Sequence, residues 1–175
     1  AINVVGTANV IEAAVACGAR RIVFSSSSAI YSQVPDEAIG EKHSTQPDSV
    51  YGQSKVDGEV LLGLAAQGQG LEAVCLRYFN VYGPGEQHKG RMASVAWHFH
   101  MQMESHETLR VFAASHGYDN GEQERDFVHV DDVIKVTRWC AEQPYLNSGI
   151  YNCGTGRAET FNAVANAVLE WYGRG

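Results

Sequence analysis

The sequence is poor in the features that would place it in several broad classes. Its four cysteines, Cys17, Cys75, Cys140 and Cys153, stand singly, without a C-x-x-C pair or zinc-ligand spacing. That excludes a disulfide framework and a cysteine-based zinc module, and reads as reduced thiols packed as small core residues in a cytosolic protein. Basic residues are outnumbered, 13 Lys and Arg against 20 Asp and Glu, for a net charge of -7. Such a field does not draw nucleic acid or an anionic membrane surface, although a local cluster of donors still suits an anionic small ligand. No apolar run is long enough to cross a membrane, and no stretch of these residues reads as a signal peptide. His98, His100 and His106 have no metal-binding spacing with a carboxylate, so no metal is expected. No internal repeat or low-complexity tract interrupts the chain.

What is present is a chain of 175 residues, 45% hydrophobic and 19% charged, enough for a sizeable core. Val4, Ala8, Ile11 and Val15 recur at helical spacing, which predicts an amphipathic helix from Ala1 to Cys17 with Gly18 as its stop. Arg20 to Ser25 reads as a buried parallel strand running into four serines, Ser25 to Ser28. Pro35, Gly40 and Pro47 make 32–49 a loop. Asp48 or Ser49 caps a helix through Leu64 that ends at Gly68 or Gly70, and Leu71 to Arg77 is a second buried strand. Asn80 to Gly85 breaks the regular structure. A helix follows from Met92 to Met103, then a strand from Leu109 to Ala113 and a polar loop from Ser115 to Glu124. An extended segment over 125–130, a helix from Asp131 or Asp132 to Glu142, a strand from Gly149 to Gly154 and a last helix from Thr160 complete the chain. Alternating strands and helices predict a parallel α/β sheet.

The chemistry concentrates at Tyr51-Gly52-Gln53-Ser54-Lys55. Four residues apart on a helix, Tyr51 and Lys55 share one face. A phenol titrating near ~10 is a poor base at neutral pH. A neighbouring ammonium favours the phenolate, so the pair suits removal of an alcohol proton. Serines at a strand's carboxyl end suit the ligand edge of a doubly wound sheet. Such a sheet also needs a Gly-rich turn after its first strand to approach a dinucleotide's pyrophosphate. No G-x-G-x-x-G occurs near the start, and Gly154-Thr155-Gly156 lacks the third glycine and comes late. A dinucleotide enzyme containing this stretch would have its first strands elsewhere, a view that fits a beginning at Ala1 already inside a helical pattern.

Taken together, these stretches resemble the extended short-chain dehydrogenase/reductases of the nucleotide-sugar epimerase group. Asn3-Val4-Val5-Gly6-Thr7, the serine run, Tyr51-x-x-x-Lys55, Arg77 to Pro84, Arg125 to Val128 and Tyr151 to Gly156 stand in that family's order. Within it, Glu86 to Ala96 and Gly156 to Ala165 are most similar to the ADP-heptose 6-epimerase branch. UDP-glucose 4-epimerases share the first set but not Lys89-Gly90-x-Met92.

The resemblance implies an α/β fold: an incomplete Rossmann-like doubly wound parallel sheet with part of a smaller α/β substrate lobe. Residues 1–79 would be the later part of the dinucleotide-binding domain and 80–126 the substrate lobe. Residues 127–155 would return to the sheet, and 156–175 would begin a C-terminal substrate-lobe helix. It implies inversion of C6 of the heptose in ADP-glycero-manno-heptose, by transient oxidation and reduction with bound NADP or NAD, NADP slightly favoured. Ser27, Tyr51, Lys55 and Lys89 would be catalytic. Asn3, Lys55, Val81 and Lys89 would meet the cofactor. Asn80, Arg91, His98, Phe112, Ala113, Ala114, Ser115 and Arg125 would meet the nucleotide sugar. A homo-oligomer, pentameric by resemblance, a cytoplasmic setting in lipopolysaccharide precursor synthesis, and inactivity of these residues alone complete the expectation. Arg91 and the long loop before Arg125 depart from the pattern. The alternatives are a 4-epimerase or 4,6-dehydratase on another nucleotide sugar and a non-enzymatic binding module; Ser28-Ala29 after Ser27, instead of an Asp-Glu pair, argues against the dehydratase.

Overall fold

Three strands set the frame of the first unit: β1 (Arg21–Ser27), β2 (Glu72–Tyr78) and, later in the chain, β5 (Gly149–Cys153). In the computed structural model, which describes residues 2–31, 39–106 and 108–174, they form an all-parallel sheet in the order β1-β2-β5. Ser27 lies opposite Tyr78, and Tyr78 opposite Cys153, so the strands end level at their carboxyl edge. The central strand shows why the sheet is parallel. Ala73, Val74, Cys75, Leu76 and Arg77 are all buried in succession, the pattern of a strand covered on both faces. On one face Ile11 of α1 (Thr7–Ala16) and Leu62 and Ala65 of α2 (Val50–Gln69) pack against Ala73 and Cys75. On the other, Cys140 of α4 (Val130–Glu142) packs against Val74 and Leu76. Burial of the Cys75 thiol pushes its pKa up to about 12, which keeps it an inert apolar filler.

Two glycines decide how closely α2 approaches β1. A Cβ on Gly58 would lie 2.5 Å from Cζ of Phe24, and one on Gly52 would lie 2.8 Å from the Ala29 carbonyl oxygen. With both positions bare, the first turns of α2 seat directly on the serine-ended strand. Ser49 caps that helix, its hydroxyl accepting from the Gly52 N–H at 3.1 Å, a contact worth about 1 kcal/mol.

The second unit contains β3 (Asn80–Tyr82), β4 (Glu124–His129) and β6 (Ala158–Thr160). β3 runs parallel to β4, with Asn80 opposite Phe127, and β6 runs antiparallel to it, with Arg125 opposite Glu159. α3 (Val95–His106) packs against α5 (Phe161–Trp171). Thr160 caps α5, accepting from the Ala163 N–H at 3.0 Å. The units are Ala1–Phe79 with Val133–Cys153, and Asn80–Asp132 with Gly154–Gly175. β4 pairs within the second sheet, and the first unit resumes at Val133.

Several expectations change. Leu109 to Ala113 is not a strand. Its backbone groups are engaged one by one: Gln102 Oε1 accepts from the Arg110 N–H at 2.7 Å, and the Phe112 carbonyl accepts from the Gly121 N–H at 2.9 Å. Asn80 to Tyr82, expected as a break, is the short strand β3. The opening helix begins as a π-helical turn over Ile2–Gly6. Of the loop expected over 32–49, residues 32–38 lie outside the described residues.

Candidate active site

Within the first unit, α2 and the end of β1 carry three of the four expected catalytic residues, Tyr51, Lys55 and Ser27. Lys55 Nζ donates to the Ser25 carbonyl at 2.8 Å, and lies 5.5 Å from the centroid of the Tyr51 ring and 5.2 Å from that of Phe24. Burial of its ammonium lowers the Lys55 pKa. Tyr51 is 50% exposed, so its phenol is open to a ligand. Ser27 Oγ accepts from the Ala29 N–H at 3.2 Å and keeps its own proton to donate. Ala29 is also the residue against which Gly52 rests, so Ser27 and Tyr51 flank one backbone junction. Asn3 does not cap a helix. Its Nδ2 donates to Ser54 Oγ at 3.0 Å, and Ser54 Oγ donates to the Tyr51 carbonyl at 2.7 Å.

Behind this edge lies a buried polar network that sequence reasoning missed. Arg77 Nε and Nη2 donate to the two carboxylate oxygens of Glu59 at 2.9 and 2.7 Å. Ser26 Oγ donates to Glu59 at 2.5 Å, and Arg77 Nη1 donates to the Tyr31 hydroxyl at 2.5 Å. Tyr31 in turn donates to Asn152 Oδ1 at 2.9 Å, and the Asn152 N–H donates to Glu41 at 2.9 Å. Burial pushes the Tyr31 phenol pKa up, against the pull of Arg77. The Asn152 N–H holds the Glu41 carboxyl below its ordinary value. The available signal was a lone arginine closing an apolar strand and a lone glutamate on the helix face that carries Leu62.

In the second unit, Val81 and Lys89 line one cleft of about 210 Å³ with Gly83, Pro84, Gly85 and His88. Glu86 pins this turn. Its carboxylate accepts from the Gly83 N–H at 3.2 Å, the Ser94 N–H at 2.7 Å and the Ser94 hydroxyl at 2.7 Å. Burial opposes ionisation of Glu86, yet these donors and the Lys89 charge hold its pKa below the usual value. Lys89 and Arg91 are exposed on the 3₁₀ segment Gln87–Met92. His98 is half-buried on α3. Asn80 Nδ2 donates to the Asp126 carbonyl at 3.3 Å.

Phe161 brings two of the expected ligand residues together. The Phe112 ring packs against it, tilted by 47° at 4.7 Å between centroids, and the Arg125 guanidinium lies 5.8 Å from the same ring. Arg125 forms no ion pair with Asp126 or Asp131 among the described residues. Asp126 instead accepts from the Thr155 N–H at 2.9 Å and the Gly156 N–H at 2.8 Å, while Arg125 is exposed with its Nη1 donating to the Glu124 carbonyl at 2.6 Å and its other donors open. Ala113, Ala114 and Ser115 are exposed beside it in sequence to Phe112. Among the described residues, no group of three or more His, Cys, Asp or Glu is placed to hold a metal ion, and no helix is long and apolar enough to cross a membrane.

Residues 1–154 match the NAD dependent epimerase/dehydratase family. The ADP-L-glycero-D-manno-heptose-6-epimerase of Alkalilimnicola ehrlichii is 47% identical over 161 residues, 91% of this chain and 50% of that protein. The Thermus thermophilus UDP-glucose 4-epimerase in complex with NAD superposes with a TM-score of 0.86 at 34% identity, over 99% of this chain and 55% of that one. The Helicobacter pylori ADP-L-glycero-D-manno-heptose-6-epimerase gives a TM-score of 0.83 at 28% identity, over 96% of this chain and 50% of that one. The chain thus spans about half the length of these relatives.

Proposed function

The chain belongs to the NAD dependent epimerase/dehydratase family, and on that premise we propose that it carries the acid/base and substrate-binding part of a nucleotide-sugar epimerase. The reaction is inversion of C6 of the heptose in ADP-glycero-manno-heptose, through a ketone that is reduced again from the opposite face. The observation that carries this reading is the Lys55 ammonium held against the Tyr51 ring, 5.5 Å from its centroid, beside the serine-ended strand. The 47% identity to a heptose 6-epimerase directs the choice of sugar; the runner-up, a UDP-glucose 4-epimerase, rests on the 34% identity to the Thermus enzyme.

A bound nicotinamide supplies the hydride acceptor and donor. The residues present fit such a group: an ammonium has three protons, Lys55 spends one on Ser25, and the others suit ribose hydroxyls. Asn3, Val81 and Lys89 complete the cofactor contacts. Tyr51, with the Lys55 ammonium 5.5 Å from its ring centroid, takes the hydroxyl proton on one face of C6. Inversion requires proton transfer on two faces, and Lys89 serves the other. Ser27 donates to the reacting oxygen. Arg125 holds the diphosphate through its planar fork. Asn80, Arg91, His98 and the segment from Phe112 to Ser115 hold the rest of the nucleotide sugar. In this reading residues 1–79 belong to the dinucleotide-binding domain, 80–126 with 156–175 to the substrate lobe, and 127–155 is the segment that returns to the sheet, which resumes at Val133.

The cofactor is NADP or NAD, with NADP the expectation of the resemblance. A cytoplasmic homo-oligomer, a pentamer, is the accompanying expectation. The test supplies full-length protein with each heptose epimer and each cofactor. The reading expects interconversion of the two ADP-heptoses and none of UDP-glucose; the reverse preference installs the 4-epimerase instead.

A further inference from the structure

Ala113 to Ser115 lies outside the two sheets: Ser115 exchanges backbone hydrogen bonds with Tyr118 at 3.1 and 3.0 Å, and two side chains from the loop that follows hold the rest of its path. Gln123 Nε2 donates to the Ala113 carbonyl at 2.8 Å and to Ser115 Oγ at 3.0 Å. Asn120 Oδ1 accepts from the Ala114 N–H at 2.7 Å. Gln123 is only 6% exposed, and its Oε1 has no hydrogen-bond partner. Turned over, the carboxamide would set that oxygen against the Ala113 carbonyl, so its orientation follows from the acceptors around it. A buried amide oxygen without a donor is unfavourable, and an apolar side chain of the same size would avoid that cost. What the glutamine adds is the pair of donations to the segment.

Gln123 also ties that segment to Arg125. It precedes Arg125 by two residues, and its carbonyl accepts from the Phe161 N–H at 3.2 Å. Phe161 is the ring that Phe112 packs against and that the Arg125 guanidinium overlies. We propose that Gln123, with Asn120, is a positioning residue for a nucleoside-diphosphate subsite, holding the Phe112 to Ser115 segment in register with the Arg125 fork before the ligand arrives. This rests on the reading above, in which that segment and Arg125 receive the nucleotide. The exposed Phe112 ring, 54% accessible, offers a face to a flat base, and Arg125 offers two donors to phosphate oxygens. A segment ordered in advance spares the ligand the cost of ordering it.

The experiment measures ADP and UDP binding by isothermal titration, and thermal unfolding, for full-length protein and two variants. Gln123→Met keeps the volume and removes both donations together with the orphan oxygen. Ala113 and Ser115 are exposed, so water replaces the lost bonds and Tm stays level or rises. Asn120→Ala removes the other tether from an exposed position and leaves the core alone. The preferred nucleoside diphosphate should bind roughly three- to tenfold more weakly to each variant. In turnover, KM for the nucleotide sugar should rise by the same factor while kcat holds. Unchanged diphosphate affinity in both variants, or binding of neither diphosphate by the parent, overturns the proposal. A parent that prefers UDP, or does not epimerise the heptose, refutes the functional reading and leaves the tether to be judged on the diphosphate it does bind.

Discussion

Replacing Arg77 by methionine should be the most damaging single change in the first unit that leaves the proposed catalytic groups in place. The guanidinium side chain is 3% exposed and the Glu59 carboxylate 5%, 2.7 Å apart at their closest. Removing one partner leaves a carboxylate buried with only Ser26 as donor, which costs about 3–5 kcal/mol. Tyr31 loses its donor too, adding about 1 kcal/mol. Against a total stability of roughly 5–15 kcal/mol this is a large fraction. Removing both charges, Arg77→Met with Glu59→Met, should recover most of the loss, because apolar replacements of a buried pair are often neutral or better. Ser26 loses its acceptor and Tyr31 its donor, so the double variant should stay about 1–2 kcal/mol below the parent. Equilibrium urea unfolding, followed by circular dichroism on all four proteins of the cycle, gives the coupling energy. The reasoning is wrong if the single change costs under about 1 kcal/mol, or if the two changes simply add.

Tyr51→Phe should lower turnover by roughly 10²-fold with nucleotide-sugar affinity kept; near-normal turnover removes Tyr51 from the mechanism. Lys89→Met should block interconversion from both heptose epimers, and wild-type rates would make Lys89 a surface lysine. Glu86 has its pKa held below the ordinary 4.5 by Ser94, Gly83 and Lys89 against the effect of burial. Its contribution is therefore fully present above pH 4.5 and lost as the pH falls through the lower folded value. Glu86→Gln should lower stability at neutral pH and flatten the acid limb of a Tm-against-pH curve; parallel curves for the two proteins would count against the pinned turn.

The parallel sheet was legible because its physics is local. The apolar run from Ala73 to Leu76 announces a strand covered on both faces, and Ser49 and Thr160 mark two helix starts with side chains that cap them. β6 was not legible. Ala158, Glu159 and Thr160 are three residues without a strand-forming pattern, extended because β4 lies alongside. The converse holds for Leu109 to Ala113, whose apolar content suggested a strand that no neighbour completes. The same division runs through the candidate site. Tyr51 and Lys55 declare themselves by spacing on one helix. The pairing of Glu59 with Arg77, and the convergence of Phe112 and Arg125 on Phe161, join residues distant in sequence and exist only once the chain has folded.

The central claim is that C6 is inverted by removal and return of its own hydrogen as hydride, with Tyr51 and Lys89 moving only hydroxyl protons. Substrate carrying deuterium at C6, turned over by the full-length protein in ordinary water, tests this most directly when the product is read by mass spectrometry. The account predicts that the inverted heptose keeps its deuterium at C6. Loss of that deuterium to solvent in step with inversion would mean that the C6 hydrogen leaves as a proton, and would contradict it.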